Sequence, residues 1–195
     1  MKRIVAAMSG ASGMIYGKRL VQWLLENGHS VDLLLSRAGA EVFKLEIGPL
    51  PRGESGWRKF FADKRGRLKL HGLMDFKSPL ASGSAKRDGM VIIPCSMGMV
   101  GRIAAGISSN LVERAADVML KERRPLVLVF RESPLNLIHL ENLARLCRAG
   151  AVVMPAAPGF YFQPQNLQAL VDGFVGRVLK ELGIENELEK EWKQR

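Results

Sequence analysis

Short apolar runs alternate with amphipathic stretches along the whole chain. The apolar runs are almost uninterrupted, as in strands that are buried on both faces of a sheet. In the stretches between them the apolar positions recur at helical spacing, so strands and helices are predicted to alternate. Strands are predicted at 4–8, 31–36, 89–96, 126–130 and 151–155, and helices at 14–28, 38–47, 110–124, 135–149 and 164–182.

This alternation predicts an α/β fold in which helices cover both faces of a mostly parallel sheet. We therefore expect one doubly wound α/β domain over residues 1–195. The polar, glycine-rich stretch 48–88 fits the pattern least, and its basic part, 48–77, is predicted to be irregular. At the other end of the chain, 186–195 is predicted to form an amphipathic helix. Ligands of such sheets bind beyond the carboxyl ends of the strands, which is where we look for functional residues.

Composition narrows the class of protein without identifying a function. Apolar residues make up 47% of the chain and charged residues 25%, as in an ordinary globular protein. No apolar run approaches the ~20 residues needed to cross a bilayer, and the first run is too short for a signal peptide. The two cysteines, Cys95 and Cys147, lack CxxC spacing, which argues against a cysteine zinc cluster and fits a reducing cytoplasm.

The chain carries a formal net charge of +10, much of it in residues 57–77. This segment interleaves basic and aromatic residues, a pattern that can mark a nucleic-acid surface. A solvated basic face on an inserted segment is the simpler interpretation, and we favour it. The alternative is a nucleic-acid-binding protein, which would bind DNA or RNA with a strong dependence on salt.

The stretch SGASGMIYG, residues 9–17, joins the first predicted strand to the first helix through a turn of small residues. It fails as a dinucleotide fingerprint, because its spacing is not GxGxxG and the second strand ends in Ser36 instead of an acidic residue. It also fails as a P-loop, because Gly13 and Gly17 are too close together. The hydroxyls and N–H groups of this turn suit one phosphate or polar ring atoms, unless the turn binds no ligand.

Further polar groups follow the other predicted strands, at the same edge of the sheet. Hydroxyls and glycines occur at 81–84 and 94–110. Arg131 and Glu132 come directly after a strand, where the sheet would bury them unless they are paired or functional. These positions extend the candidate site beyond the first turn.

Several cations accompany these segments. Arg114 and Lys121 are separated by almost two helical turns, so both are predicted to lie on one face of their helix. Tyr161 and Arg177 complete a cation-rich set. A solvated helix face is the alternative for Arg114 and Lys121, and a strand-end ion pair is the alternative for Arg131 and Glu132.

These stretches together resemble the UbiX flavin prenyltransferases, formerly called aromatic-acid decarboxylases. The resemblance covers nearly the whole chain except about 48–75, and its most specific block is NLVERAADVMLKERRPLVLVFRE. The other matching stretches, in the same order and spacing, are SGASGMIYG, LLLS, ASGS, IIPCS, HLENL and GAVVMPAAPGFYFQPQ.

The resemblance implies a Rossmann-like flavoprotein that joins the dimethylallyl group of dimethylallyl monophosphate to reduced FMN. The family forms a bond first at flavin N5 and then at C6, and requires no metal. Its product, prenylated FMN, is the cofactor of UbiD-type decarboxylases. The resemblance also implies a homo-oligomer, a dodecamer in this family, with sites at subunit interfaces.

For FMN, the resemblance implies a site built from the first turn, the end of the second strand and the loop after the strand at 89–96. The Ser12 hydroxyl would lie near flavin N5. The residues implied to bind FMN are Gly10, Ala11, Ser12, Ser36, Ser96, Met97, Gly98, Met99 and Arg131.

For the prenyl substrate, the resemblance implies that four side chains hold the phosphate, which must leave as an anion. They are Arg114, Lys121, Tyr161 and Arg177. Glu132 is the predicted general base that removes the C6 hydrogen, and Glu46 is a second carboxylate, expected from the neighbouring subunit.

Aromatic faces are expected beside the allylic group, because C–O cleavage leaves positive charge on it. Phe76 stands where relatives can place a tryptophan, and a phenyl face is the weaker partner for a cation. Trp192 matches a family tryptophan that covers a neighbouring subunit's site, although packing at an oligomer interface explains it equally well.

Two alternative flavin-dependent functions have to be compared with prenyl transfer. An FMN-dependent decarboxylase of cysteine derivatives would carry a PxMNxxMW-type segment, where this chain has PAAPGFYFQP. A flavin carrier without catalysis would have no use for Glu132 or for the phosphate-binding set. Both features favour prenyl transfer.

Overall fold

The computed structural model describes residues 1–189, and their strands form one six-stranded, fully parallel sheet with helices on both faces. The predicted fold class is therefore confirmed. The strands are β1 (Arg3–Met8), β2 (Ser30–Leu35), β3 (Leu68–Leu70), β4 (Gly89–Cys95), β5 (Leu126–Phe130) and β6 (Val152–Pro155). The helices are α1 (Met14–Glu26), α2 (Arg37–Glu46), α3 (Gly53–Phe60), α4 (Met97–Ala104), α5 (Leu111–Lys121), α6 (Leu137–Arg148) and α7 (Leu167–Glu181), with a short 3₁₀ turn at Pro79–Ala81.

The strand order is β3-β2-β1-β4-β5-β6, so the switch point in strand order lies between the neighbouring strands β1 and β4. The first three strands are laid down outward from β1, and the chain then returns to place β4 on the other side of β1. A crevice forms beyond the carboxyl ends of the strands at such a switch point. The segments that leave β1 and β4 therefore define the expected site.

Alternate residues of the strands pack against the helices of opposite faces, as the strand pleat requires. On one face, Ile4 and Ala6 of β1 pack in a core with α1 and α7. On the other, Val5 and Ala7 pack in a core with α4, α5 and α6. The near-continuous apolar strands follow from this arrangement, because both faces of the sheet are covered.

The basic segment 48–77 is more regular than predicted, because it contains α3 and the edge strand β3. Two of its aromatic residues serve the core: Trp57 and Phe61 are buried beside Phe43 of α2, whereas Phe60 and Phe76 are exposed. An eight-residue helix and a three-residue strand are too short to show periodicity, which explains why both were missed. Since the rings of Trp57 and Phe61 are not available to bases, packing explains half of the aromatic positions in the nucleic-acid pattern.

Two further expectations differ from the structure. The loop expected after β4 is the helix α4, whose small residues hid its period. Residues 186–189 are not helical, and the rest of the predicted C-terminal helix, with Trp192, lies outside the described residues. Within residues 1–189 no helix is long and apolar enough to cross a membrane.

Candidate active site

The turn after β1 is held by a carboxylate of the same chain. Gly13 takes a positive φ of 111° immediately before α1 begins. The Glu46 carboxylate, at the end of α2, accepts the N–H of Gly13 at 2.9 Å and the N–H of Met14 at 2.8 Å. Glu46 thus supplies the N-terminal cap that Gly13, which lacks a side chain, cannot provide.

Within a single chain, Glu46 lies at a different place from the one that we predicted. We expected it to act from a neighbouring subunit, but α2 packs beside α1 and brings the carboxylate to the turn of its own chain. Partial burial opposes its ionisation, but hydrogen bonds from Ser12, Gly13 and Met14 and the charge of Arg131 outweigh it and lower the pKa of Glu46. A charged carboxylate is therefore held beside Ser12.

Ser9 and Ser96 form a hydrogen bond that connects the segments following β1 and β4. Ser96 donates its N–H to Ser9 Oγ at 2.8 Å, and Ser9 Oγ donates to the carbonyl of Pro94, 3.2 Å away. Ser9 is buried, whereas Ser12 is exposed. Of the two hydroxyls that the turn offers, Ser12 is the one that can meet a ligand, while Ser9 holds β1 and β4 in place.

Three helices, α1, α2 and α4, begin at this edge of the sheet. Ser36 Oγ caps α2 by accepting an N–H at 2.9 Å, and Ser96 Oγ caps α4 by accepting the N–H of Met99 at 3.3 Å. The N–H groups of Met97 and Gly98 lie in the first turn of α4, where no carbonyl of the same helix can accept them. Converging helix N-termini favour an anion, as a phosphate would be.

Most of the remaining residues predicted to bind a flavin can offer only their backbone. Ala11, Met97 and Met99 are buried. Gly10 packs so closely on α2 that a Cβ there would lie 2.4 Å from the Cβ of Ala38. These residues therefore shape the turn and the start of α4; the N–H of Ala11 donates to the carbonyl of Ser9 at 2.8 Å and that of Met99 to Ser96 Oγ, while those of Met97 and Gly98 have no acceptor within the helix.

Arg131 and Glu132 follow β5 at the same edge, and both are exposed in the single chain. We expected the sheet to bury them, but β5 ends at Phe130 and the chain turns outward. The Arg131 N–H donates to the carbonyl of Cys95 at 3.2 Å, and Glu132 Oε1 accepts the N–H of Ser133 at 3.1 Å. Since the Arg131 charge acts on Glu46, it lies close enough to the first turn to serve the same site.

Arg114 and Lys121 of α5 both face the loop at 81–85, as predicted from their spacing. Arg114 donates to the carbonyl of Ala81 at 3.0 Å and pairs with Asp117 at 2.6 Å. Lys121 pairs with Glu122, and a Cβ on Gly83 would lie 2.8 Å from its Nζ. The loop and the two cations thus form one surface.

The connection from β3 to β4, residues 71–88, includes this loop and also carries Phe76, whose ring is half exposed. A buried polar network anchors the connection. His71 Nε2 donates to Asp32 Oδ1 at 2.6 Å, and His71 Nδ1 forms a hydrogen bond with Ser78 Oγ at 2.8 Å. Arg87 Nε donates to the other oxygen of Asp32 at 2.5 Å. The network joins β2 to His71 and Arg87, near the two ends of this connection, and so fixes the position of the backbone that carries Phe76.

This network was not predicted from the sequence, although one signal was present. Asp32 is a charged residue inside an otherwise apolar strand, where an unpaired carboxylate would be costly. Burial opposes its ionisation, but hydrogen bonds from His71 and Arg87 outweigh burial and lower the pKa of Asp32. No local pattern could have identified its partners, because they lie far along the chain.

Tyr161 and Arg177 line a cavity of about 700 Å³ beside α7. Its apolar walls come from β6 and from two rings, Phe162 and Phe174. Arg177 and Lys180, one helical turn apart, supply the positive charge. Glu189 also lines the cavity and pairs with both cations. Apolar walls beside two cations suit a short hydrocarbon that carries a phosphate, which would compete with this carboxylate.

The four residues predicted to bind phosphate do not come together within one chain. Arg114 and Lys121 lie on α5, which packs on one face of the sheet, whereas Arg177 lies on α7, which packs on the other. Arg177 is also about 15 Å along α7 from its start at the carboxyl edge. A complete site would need surfaces from more than one chain.

Metal ligands do not accumulate anywhere in residues 1–189: the structure holds no group of three or more histidine, cysteine or acidic side chains that could bind a metal ion.

Comparisons with known proteins place the whole chain beside flavoproteins of the same fold. The Flavoprotein family matches residues 1–178. The flavin prenyltransferase UbiX of Halalkalibacterium halodurans is 47% identical over 95% of this chain and 90% of its own length. The solved structure of AnUbiX (PadA1) in complex with FMN and dimethylallyl pyrophosphate has a TM-score of 0.90 and 36% identity, covering 100% of this chain and 98% of that one. A dodecameric FMN-dependent UbiX-like decarboxylase from Escherichia coli O157:H7 has a TM-score of 0.87 and 37% identity, covering 98% and 100%.

Proposed function

The chain belongs to the flavoprotein family, among its UbiX flavin prenyltransferases, and from this premise we propose that it joins the dimethylallyl group of dimethylallyl monophosphate to reduced FMN. The observation that carries the proposal is the cavity beside α7, whose apolar walls meet Arg177 and Lys180. This is the environment that a five-carbon phosphate requires. N5 and C6 of the reduced flavin supply the two nucleophilic positions.

The switch-point crevice is the proposed flavin site. The N-termini of α2 and α4 and the hydroxyls of Ser12, Ser36 and Ser96 lie there, which suits a phosphate and a polar ring edge, while Glu46 already caps the start of α1. Gly10, Ala11 and the start of α4 would contribute backbone N–H groups, and Arg131 would contribute charge. Ser12, which bonds Glu46, would face flavin N5.

The cations are proposed to hold the substrate phosphate and to stabilise it as it leaves. Charge-assisted hydrogen bonds from Arg114, Lys121 and Arg177 favour the departing anion, and the Tyr161 hydroxyl would add a further bond. Phe76 would present its ring to the positive charge that develops on the allylic group. Nothing in this step requires a metal.

Glu132 is proposed as the general base. Forming the second bond, at C6, requires removal of the hydrogen there, and an exposed carboxylate next to Arg131 at the edge of the crevice is placed for that task. Glu46 is proposed as a second carboxylate that tunes Ser12 and does not itself reach the substrate, because its oxygens are engaged by backbone N–H groups.

We propose that the active unit is a homo-oligomer, as in the dodecameric relative. The phosphate-binding residues on α5 and α7 can meet only if different chains supply them. Leu137, Ile138 and Leu140 of α6 are strongly exposed in the single chain, and such an apolar surface is typical of an interface. Trp192, which lies outside the described residues, is proposed to cover a neighbouring site.

The product, prenylated FMN, would serve a UbiD-type decarboxylase. The cytoplasm is the proposed location, because Cys95 and Cys147 are both free thiols, as a reducing compartment keeps them.

Anaerobic incubation of the protein with reduced FMN and dimethylallyl monophosphate tests the proposal, followed by mass analysis of the extracted flavin. The expected result is a flavin whose mass has increased by one prenyl group, formed only when both substrates are present. Oxidised FMN serves as the matched control. Unmodified flavin, recovered from folded and flavin-loaded protein, would refute prenyl transfer.

A further inference from the structure

A carboxylate already occupies the cationic part of the cavity beside α7. Glu189 Oε1 lies 3.0 Å from Arg177 Nη1 and 3.1 Å from Lys180 Nζ, so one oxygen bridges both cations. The Glu189 side chain is only 14% exposed, whereas those of Arg177 and Lys180 are 51% and 56% exposed. The Glu189 carboxylate therefore lies inside the cavity, and the more exposed Arg177 and Lys180 contact it from the rim of the cavity.

The backbone that carries Glu189 is fixed independently of this ion pair. Asn186 Nδ2 donates to the carbonyl of Gly176, and Asn186 Oδ1 accepts the N–H of Glu189 at 2.9 Å. A Cβ on Gly176 would lie 2.4 Å from the backbone nitrogen of Glu189, so a glycine is needed for this close approach. The carboxylate can consequently leave the cations by rotating its side chain, while the segment stays in place.

The contacts of Glu189 match those that a phosphate oxygen would make. One oxygen accepts from two cations at hydrogen-bond distance, and Tyr161 lines the same cavity. Each ion pair involves a half-exposed cation and is therefore weak and exchangeable. A phosphate monoester carries more charge than a carboxylate and has three terminal oxygens, so it can bind both cations at once.

We propose that Glu189 is a resident anion that the substrate phosphate displaces from Arg177 and Lys180, which makes Lys180 a second phosphate-binding residue beside Arg177. The assignment of this cavity to the prenyl phosphate rests on the proposed function. When the Glu189 side chain has rotated away, Arg177 and Lys180 offer two positive charges to the phosphate. With no substrate bound, Glu189 keeps the cations neutralised and limits the binding of other anions.

Binding measurements on the full-length oligomer test this exchange, with inorganic phosphate and dimethylallyl monophosphate as separate titrants in calorimetry. Glu189→Gln should tighten the binding of both about three- to tenfold, because the competing charge is gone. Lys180→Met should weaken both about tenfold, and Lys180→Arg should recover most of the loss. Glu181→Gln, on the same helix but outside the cavity, and Lys64→Met, in an exposed turn, are the matched controls.

Turnover separates this exchange from a structural role for Glu189. Glu189→Gln should lower the KM for dimethylallyl monophosphate more than it changes kcat. If Glu189→Gln left phosphate binding unchanged or weaker and only lowered the melting temperature, Glu189 would serve only to hold its segment against α7. That result would overturn the proposal. Unchanged binding in Lys180→Met would equally overturn the role of Lys180.

A failure of the proposed prenyl transfer would give a different result from a failure of the Glu189 exchange. In that case the wild-type protein would form no prenylated flavin. The response of inorganic phosphate binding to Glu189→Gln and Lys180→Met would still decide whether Glu189 is a displaceable anion.

Discussion

The Glu46 carboxylate binds the backbone N–H of Met14, 2.8 Å away, so the last residue of α2 caps the first residue of α1. The contact joins two helices that flank the crevice at the switch point. It also places a negative charge beside Ser12, in the turn that the flavin is proposed to occupy.

Replacing Glu46 with glutamine should lower the free energy of unfolding at neutral pH by about 0.5–1 kcal/mol, because the charge at the helix N-terminus is lost. The pKa of Glu46 is lowered in the folded protein, so its stabilisation is complete above the usual glutamate pKa and is lost as the pH falls through the folded value. The difference between variant and wild type should therefore shrink in acid. Thermal unfolding as a function of pH measures it.

The control for this prediction is Glu41→Gln, on the exposed side of the same helix, where the carboxylate pairs only with Lys44. It should change stability by less than about 0.5 kcal/mol. A difference between Glu46→Gln and wild type that persists unchanged in acid would show that the charge of Glu46 does not stabilise α1.

Asp32→Asn should destabilise the protein by about 3 kcal/mol, because Arg87 and His71 would lose the buried anion that they share. The pKa of Asp32 is lowered, so the wild type should lose this contribution as the pH falls through that value. Urea unfolding near neutral pH measures the loss. The loop that carries Phe76 should also become more accessible to protease, and a stable variant with an unchanged loop would contradict the anchoring role.

Gly17→Ala should cost about 1–3 kcal/mol, because a Cβ at this position of α1 would lie 2.4 Å from the carbonyl oxygen of Ile93 in β4. Gly101→Ala is the matched control. Gly101 is also a helical glycine, but its Cβ would meet only the Asn142 amide at 3.5 Å, so alanine should be neutral or stabilise α4 by up to about 1 kcal/mol. Equal effects of the two changes in thermal unfolding would argue against close packing of α1 on β4.

Arg114→Met and Arg177→Met should each reduce prenylated-flavin formation about tenfold or more, because each removes a charge-assisted contact to phosphate. Co-expression of the two variants should restore about a quarter of wild-type activity if each site takes α5 from one chain and α7 from another. If one chain supplied both residues, every site in the mixture would lack one arginine and no activity would return. Turnover of the purified mixed oligomers distinguishes the two results.

Glu132→Gln should leave flavin binding near the wild-type level and slow the formation of the second bond, at C6, by about 10²–10⁴-fold. Absorbance spectroscopy measures flavin loading, and mass analysis with an optical spectrum of the product measures bond formation. Glu141→Gln, an exposed change on α6, is the control. Wild-type turnover in Glu132→Gln would remove Glu132 from the role of general base.

The agreement between prediction and structure is best where the information is local. The long strands and amphipathic helices were predicted within a few residues, because periodicity is a property of neighbouring positions. Ser36 and Ser96 follow β2 and β4 as expected, and each caps the next helix. The short elements α3 and β3 were missed, because they depend on packing of Trp57 and on pairing with β2.

The sequence by itself determined the class of fold, the small-residue turn after β1, and the types of side chain available for flavin and phosphate. Only the tertiary structure decided which groups meet. It placed β4 beside β1, brought Glu46 to the turn of its own chain, and put Arg114 and Arg177 on opposite faces of the sheet. The physical reason is that strand order and helix packing depend on contacts between residues far apart in the chain, which periodicity and spacing do not encode.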